Sequence, residues 1–263
     1  KLLGINLEEK QFKQLLEKMG YNYSGGIVEI PAWRIDILHE VDLIEDVAIA
    51  YGYENFIPEI PKISTIGQEN NVEVIKRKIS EILVGLNLLE VSNYHLTNKE
   101  DQSIKMGLLE KQEELIEVVD SKTDYNLLRG DLTHYLLKIY SENVDSEYPQ
   151  NIFEIGKVFK LKGEIKEQVN LAVAMAPGNF TQIKQSLEYF FRMIGVQIKI
   201  NEPENFPEHF IKGRVAEIFL ENKGIGYIGE IHPRILKNWK IKMPVALFEI
   251  NLEEVFGKIN YPK

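Results

Sequence analysis

The densest group of reactive side chains is the run RIDILHEVDLIEDVAIAYGY, residues 34 to 53. The apolar spacing predicts a helix from about Glu40 to Tyr51, stopped by Gly52. At roughly 100° per residue, Asp42, Glu45 and Asp46 then share an arc about 100° wide. Val41, Ile44, Val47, Ala48 and Tyr51 fall on the other side, so one face packs and the opposite face is acidic. Asp36 arrives from the extended segment just before and joins the cluster at the first turn. Carboxylates so close repel one another unless a cation bridges them or some are protonated. Oxygen-only ligands suit a hard ion, Mg²⁺ or Ca²⁺. A second reading needs no metal: the helix dipole stabilises acidic residues in the first turn, the face is solvated, and Arg34 neutralises part of the charge.

Other chemistries find little support. The chain has no cysteine, which excludes a disulfide framework, thiolate zinc, an iron–sulfur cluster and a cysteine nucleophile together. Its five histidines, His39, His95, His134, His209 and His232, form no i, i+4 pair and no HExxH pattern, so zinc is not expected. No GxSxG and no phosphate-cradling loop occurs. Residues 224 to 229 spell GxGxxG, but inside a strand pattern with no helix opening on the last glycine, so the match is accidental. A net charge of -9 over 263 residues argues against bulk nucleic-acid binding, which needs a surplus of lysine and arginine. No apolar run approaches the ~20 residues that span a bilayer, and the first ten residues are no signal peptide. The cytoplasm is the expected compartment, without membrane association.

Two domains must carry these groups. Residues 56 to 71 hold Pro58, Pro61 and Gly67 with little helical periodicity, which places a boundary between domains 1–66 and 67–263. The small domain has six lysines and arginines against eleven acids, a net -5, over half of the total in a quarter of the chain. It opens with a helix in which Asn6 and Glu9 form a capping box and Phe12, Leu15, Leu16 and Met19 make one stripe, stopped by Gly20. A strand, Ile27 to Ile30, precedes the acidic helix. Two helices flanking a strand resemble a small winged-helix-like module.

The large domain is expected to be α+β. Helix 72–86 aligns Val72, Ile75, Ile79, Ile82, Leu83 and Leu86; strands are expected at 88–95 and 114–119, and a helix near 126–141 uses Leu128, Leu132, Tyr135, Leu136 and Ile139. Then come strands 151–159 and 168–175, a helix from Asn179 to Gly195 with Gln182 completing a capping box, and strands 214–221 and 225–231 joined by a turn over Glu221 to Gly224. His232 caps, or packs against, a short helix with Pro233 in its first turn, and a strand follows at 244–250. Adjacent strands joined by short turns favour an antiparallel sheet with helices packed against it.

The run IVEIPAWRIDILHEVDLIEDVAIAYGYENF resembles the small domain of the phenylalanyl-tRNA synthetase beta subunit, archaeal or eukaryotic type. LLRGDLTHYLL is similar to a helix of that family, YPQNIFEIGKVF to its central strand, and GRVAEIFLENKGIGYIGEIHP with MPVALFEINL to its hairpin and closing strand. The similarity runs from about residue 3 to residue 256, and the ordered series is more specific than any one segment. Gly130 and the pair Thr133-His134 depart from the family's Thr- and Pro-containing stretch, which leaves the detail of the subunit contact open.

The resemblance implies a class II synthetase-like large domain that has lost its catalytic residues. A working site of that class uses arginines on a strand and a later helix to grip the acyl carboxylate and the phosphates, for which bidentate guanidinium groups are suited. The strand Ile152 to Phe159 carries Glu154 and Lys157 but no arginine, and no Gly-rich arginine segment follows the strand Val245 to Ile250. The expected role is therefore a scaffold for a catalytic alpha subunit in an α₂β₂ assembly that charges tRNA(Phe) with phenylalanine at the expense of ATP. The family's magnesium pattern places one acid after an arginine, a second six on, and two adjacent ones three and four further. Asp36, Asp42, Glu45 and Asp46 match it, so the resemblance implies Mg²⁺ there. The family's several hundred preceding residues, with its editing domain, have no counterpart, and the sequence is expected to be a fragment of a longer subunit. The alternative is a stand-alone winged-helix-type nucleic-acid-binding protein, against which the acidic small domain speaks. A metal-dependent hydrolase using the acidic cluster lacks a base or nucleophile at suitable spacing.

Overall fold

The computed structural model describes residues 2–61, 63, 67–108 and 115–259, in two compact units, Lys1–Gly67 and Gln68–Lys263. In the first, helix α1 (Glu9–Lys18) turns Leu15 and Leu16 into a small core. Its start differs from the expected Asn6–Glu9 box: Glu8 is the cap, and Gln11 Oε1 accepts from the Glu8 amide at 3.1 Å. The same three-residue spacing is satisfied two residues later. Strands β1 (Asn22–Ser24) and β2 (Ile27–Glu29) pair as an antiparallel hairpin. Its turn needs positive φ at both central residues, and Gly25 and Gly26 supply it at 57° and 85°. Strand β1 was not expected from the sequence, and β2 stops one residue short of Ile30. Helix α2 (Glu40–Tyr51) has the bounds its pattern predicts, and packs Val47 against Leu15, Leu16 and Tyr21.

The second unit opens with α3 (Asn71–Gly85), capped by Asn70 Oδ1 accepting from the Val72 amide at 2.9 Å. The next forty residues depart most from expectation. Strand β3 (Leu89–Glu90) ends early, and β4 (Leu96–Thr97) is followed by a π-helical turn at Glu100–Ile104. Of the strand expected at 114–119, residue 114 lies outside the described residues and the rest holds only β5 (Ile116–Glu117). Leu128 belongs to β6 (Leu127–Leu128), which bridges β4 and β5 in a three-stranded sheet, so α4 begins only at Thr133 and runs to Glu142. The apolar spacing that aligns Leu128 with the helix is interrupted by Gly130, whose helix propensity is poor.

The main sheet follows. Strands β7 (Gln150–Lys162) and β8 (Glu164–Ala176) form one long hairpin turned at Gly163, where φ is 75°. Helix α5 (Phe180–Met193) is capped by Asn179 Oδ1, which accepts from the Gln182 amide at 3.0 Å; the Gln182 side chain bonds that of Asn179 instead of the cap backbone. Strand β9 (Ile198–Asn201) was not expected. Strands β10 (Phe210–Leu220) and β11 (Lys223–Ile231) meet at a two-residue turn, tighter than the four predicted. Helix α6 (Pro233–Asn238) has His232 at its cap, and β12 (Ala246–Asn251) and α7 (Glu253–Phe256) close the unit. The seven strands are ordered β3-β7-β8-β12-β11-β10-β9. The sheet is mixed, not wholly antiparallel, because edge strand β3 runs parallel to β7. Among the described residues no helix is long and apolar enough to cross a membrane.

Strand alternation explains where chemistry can sit. One face of the sheet presents Phe153, Val173, Ile218, Ile228 and Phe248 to α3 and α5 and is apolar throughout. The other presents Ile152, Ala174, Val215 and Leu247 to α4 and α6 at one end only. On that second face, pairing register brings Glu154, Ala172, Glu249, Tyr227 and Glu217 into a single row across β7, β8, β12, β11 and β10.

Candidate functional site

The acidic helix of the first unit places its four expected ligands in different surroundings. Asp46 is buried and accepts a short hydrogen bond from the Tyr21 hydroxyl, with Arg34 Nη1 at 2.7 Å from Asp46 Oδ2. Asp36 is gripped by the same guanidinium, through Nε at 3.0 Å and Nη2 at 2.8 Å. Asp42 Oδ2 accepts the Leu38 and His39 amides, each at 2.8 Å, and so caps its own helix. Glu45 is exposed. Arg34 holds the Asp36 carboxyl below the usual range, while the amides of Leu38 and His39 do the same for Asp42. Burial, and the hydrogen bond to Asp46, push the Tyr21 phenol up to about 12.

The donors are right in kind for a hard cation, but their arrangement is not. Among the described residues no three His, Asp or Glu side chains gather where they could share a metal ion. The expectation that Asp36, Asp42, Glu45 and Asp46 converge is therefore not met in this arrangement. Helical spacing places three of them on one arc, yet Arg34 and Tyr21 draw Asp46 toward the core, and the helix start takes Asp42.

A second concentration of polar groups lies in the second unit. The open end of the sheet's polar face floors a cavity of about 460 Å³, lined among others by Gln102, Asp131, Thr133, Asn170, Glu217 and Glu249. Glu249 docks α4 onto the sheet. Its carboxylate accepts from the Leu132 and Thr133 amides at 3.0 Å, from Thr133 Oγ1 at 2.7 Å and from Asn170 Nδ2 at 2.6 Å. An anion at a helix N-terminus is also favoured by the unpaired amides and the helix dipole. Asp131 accepts from Gln102 Nε2 at 2.5 Å and from the His134 amide at 3.2 Å, and lies 3.0 Å from His134 Nδ1. Burial opposes its ionisation, but His134 and then His209 outweigh that and hold Asp131 below the usual carboxylate range. Glu249 moves the other way: burial, then the Asp131 charge, raise it.

Deeper under the same face, Arg129 is 1% exposed and is committed to β7. Its Nη1 meets Glu154 Oε1 at 2.6 Å, and its Nε donates to the Lys157 carbonyl at 2.7 Å. Glu154 also accepts from Asn93 Nδ2 at 2.6 Å. The GxGxxG run has a packing cause. A Cβ on Gly226 would collide with the Glu249 carbonyl oxygen, and one on Gly224 with the Glu217 carboxylate.

Sequence reasoning assigned roles to none of Arg129, Asp131, Asn170 and Glu249. One signal was present: Glu154 and Glu249 each stand in an apolar strand as Phe-Glu-Ile, where a lone acid among buried neighbours requires a partner. The partners, Arg129 and the α4 N-terminus, are 25 and about 117 residues away and leave no local pattern.

Comparison with known proteins covers nearly the whole chain. Residues 57–252 match the phenylalanyl tRNA synthetase beta chain CLM domain, and residues 1–53 match the tRNA synthetase B5 domain. The chain is 39% identical over 268 residues to the phenylalanine–tRNA ligase beta subunit of Pyrococcus abyssi, covering 97% of this chain and 47% of that protein. It is 38% identical over 267 residues to that of Thermococcus sibiricus and 36% over 263 residues to that of Archaeoglobus fulgidus, with the same two shares of coverage. The chain spans about half the length of the curated relatives it matches.

Proposed function

Because this chain belongs to the phenylalanyl-tRNA synthetase beta-chain family, we propose that it is a non-catalytic portion of the ligase, holding an alpha subunit in an α₂β₂ assembly that charges tRNA(Phe) with phenylalanine and ATP. The observation that carries the non-catalytic part of this reading is the cavity on the sheet. Among the described residues, Asp131, Glu217 and Glu249 line it against one lysine, Lys160, and no arginine. Arg129, which is buried, is already spent on Glu154 of the same face. A triphosphate brought there would meet carboxylates where it needs cations.

Support for a protein partner comes from apolar surface left open. A shallow groove between α3 and α5 is lined by Ile82, Tyr189, Met193 and Ile194, with Met193 53% exposed. In the first unit Trp33 is 74% exposed, and Ile35 and Leu38 are each 87% exposed. Side chains of this size left open in quantity mark interaction surfaces. The helix–hairpin–helix of the first unit is read as winged-helix-like, with β1 and β2 as the wing, and the cytoplasm as its compartment. Its acidic surface supports a protein-facing role over a nucleic-acid one.

The test is direct. Purified alone, the chain gives no phenylalanine-dependent ATP–pyrophosphate exchange; mixed with the alpha subunit of a relative, it elutes as a larger complex. Unaided exchange would refute the silent-domain reading, and failure to associate would refute the scaffold.

A further inference from the structure

The cavity of about 460 Å³ retains polar groups that the fold itself leaves without a use. Glu249 and Asp131 are occupied by α4, Gln102, Asn170 and His134. Three other groups lining the same cavity have no hydrogen-bond partner among the described residues: the Ser103 hydroxyl, the Tyr227 phenol and the Glu217 carboxylate. Tyr227 and Glu217 are directly paired across β11 and β10, which fixes an acceptor and a hydroxyl side by side on a rigid sheet. Pockets of this size with a few convergent polar groups are the usual form of a small-molecule site.

The lining defines the ligand's chemistry. Among the described lining residues three carboxylates face Lys160 and His209, so an anion is disfavoured and a cation gains. Leu108, Phe210 and Ile225 supply apolar wall beside the polar row. We infer that this cavity binds a compact organic cation, its primary ammonium group paired with Glu217 and Tyr227 and its apolar body against Phe210. The site lies wholly within the second unit and does not depend on the subunit role proposed above.

The intact chain is titrated by calorimetry with three probes that share one body and differ in charge: 2-phenylethylamine, 2-phenylethanol and phenylacetate. The amine binds, and the alcohol and the acid bind at least about tenfold more weakly, the scale of one charge-assisted hydrogen bond. Glu217→Gln, which touches no hydrogen bond of the fold, weakens the amine by about tenfold and leaves the melting temperature unchanged. Tyr227→Phe weakens it by less. The site is refuted if none of the three probes binds, or if the alcohol or acid binds as well as the amine. Amine binding unaltered in Glu217→Gln would refute the assigned carboxylate.

Discussion

Both units gather carboxylates, and they deal with them in opposite ways. Around α2 the acids other than Asp46 reach solvent, and Arg34, a tyrosine hydroxyl and two backbone amides hold Asp36, Asp42 and the buried Asp46 one by one. On the main sheet the acids sit in a row on one face, and Glu154 and Glu249 take their partners from distant segments in the interior. The difference teaches that residue type does not set the energetics. An exposed pair saves little because water competes, whereas a buried acid whose partner is removed bears the full desolvation cost. The same carboxyl chemistry is therefore adaptable surface in the first unit and structural framework in the second.

The largest effect is expected at Arg129. Replacing it with alanine leaves Glu154 buried without its cation, at a cost of about 3–5 kcal/mol, read as a shift in the urea midpoint of the second unit. Replacing both partners with methionine recovers most of the loss, since the penalty belongs to the orphaned charge. A loss below about 1 kcal/mol in the single variant would remove the contrast between the units, because that is the range of an exposed pair.

Next comes Glu249→Ala. It strips acceptors from the Leu132 and Thr133 amides, the Thr133 hydroxyl and the Asn170 amide together. With part of the deficit met by water entering the cavity, about 2–3 kcal/mol is lost, and Glu249→Gln loses less. Hydrogen exchange at the first turn of α4 rises in proportion if Glu249 is what docks that helix.

How far these features could be read from the sequence follows the range of the interactions. Helix α2 is bounded locally, by His39 at its cap and by Gly52 at φ 93°, and its limits are visible in the residues themselves. The same holds for Pro233 at the start of α6, whereas the strands expected at 151–159 and 168–175 run on to meet at Gly163. The stretch from 88 to 128 misleads because its described strands are two residues long and exist only by pairing with other segments, β3 with β7 and β6 with β4 and β5. The row Glu154, Glu249, Tyr227, Glu217 is invisible for a related reason. Register across five strands creates it, and no single strand contains more than one member. On α2 the spacing was right and the contacts were not: periodicity gives direction but does not show that Arg34 and Tyr21 claim Asp46.

The third expectation concerns pH in the second unit. Glu249 is raised in the folded state, so its contribution is fully present below the ordinary glutamate value and is lost as pH rises through the folded one. Asp131 is lowered, so its contribution is present above the ordinary aspartate value and is lost as pH falls toward the folded one. Stability should thus decline on both sides of a mildly acidic optimum, by at most about 1.4 kcal/mol per pH unit for each group. Asp131→Asn removes the like charge facing Glu249 and so brings Glu249 closer to its ordinary value. The decline on the alkaline side then shrinks, and the carbon-13 titration of the Glu249 carboxyl moves to lower pH. An unmoved titration would mean that burial alone raises Glu249.

The smallest effect is expected at Arg34, and it bears on the magnesium question. In the present arrangement Arg34 already supplies the positive charge between Asp36 and Asp46, and among the described residues no three carboxylates gather to share an ion. Millimolar Mg²⁺ should therefore leave the melting of the first unit unchanged in the unaltered chain, since a ligand stabilises only to the extent that it binds the folded form. Arg34→Ala removes the internal cation and frees both carboxylates, so the repulsion among Asp36, Asp42 and Asp46 is no longer offset. In that variant the Tyr21 phenol titrates higher still, because the guanidinium that lowers it is gone, and Mg²⁺ becomes stabilising where it was not. Ultraviolet titration of Tyr21 tests the first outcome, and melting with and without Mg²⁺ tests the second. If Mg²⁺ stabilises the unaltered chain, Arg34 must release Asp36 and Asp46 when the ion arrives. The two units would then differ in mobility of their partners as well as in burial of their acids.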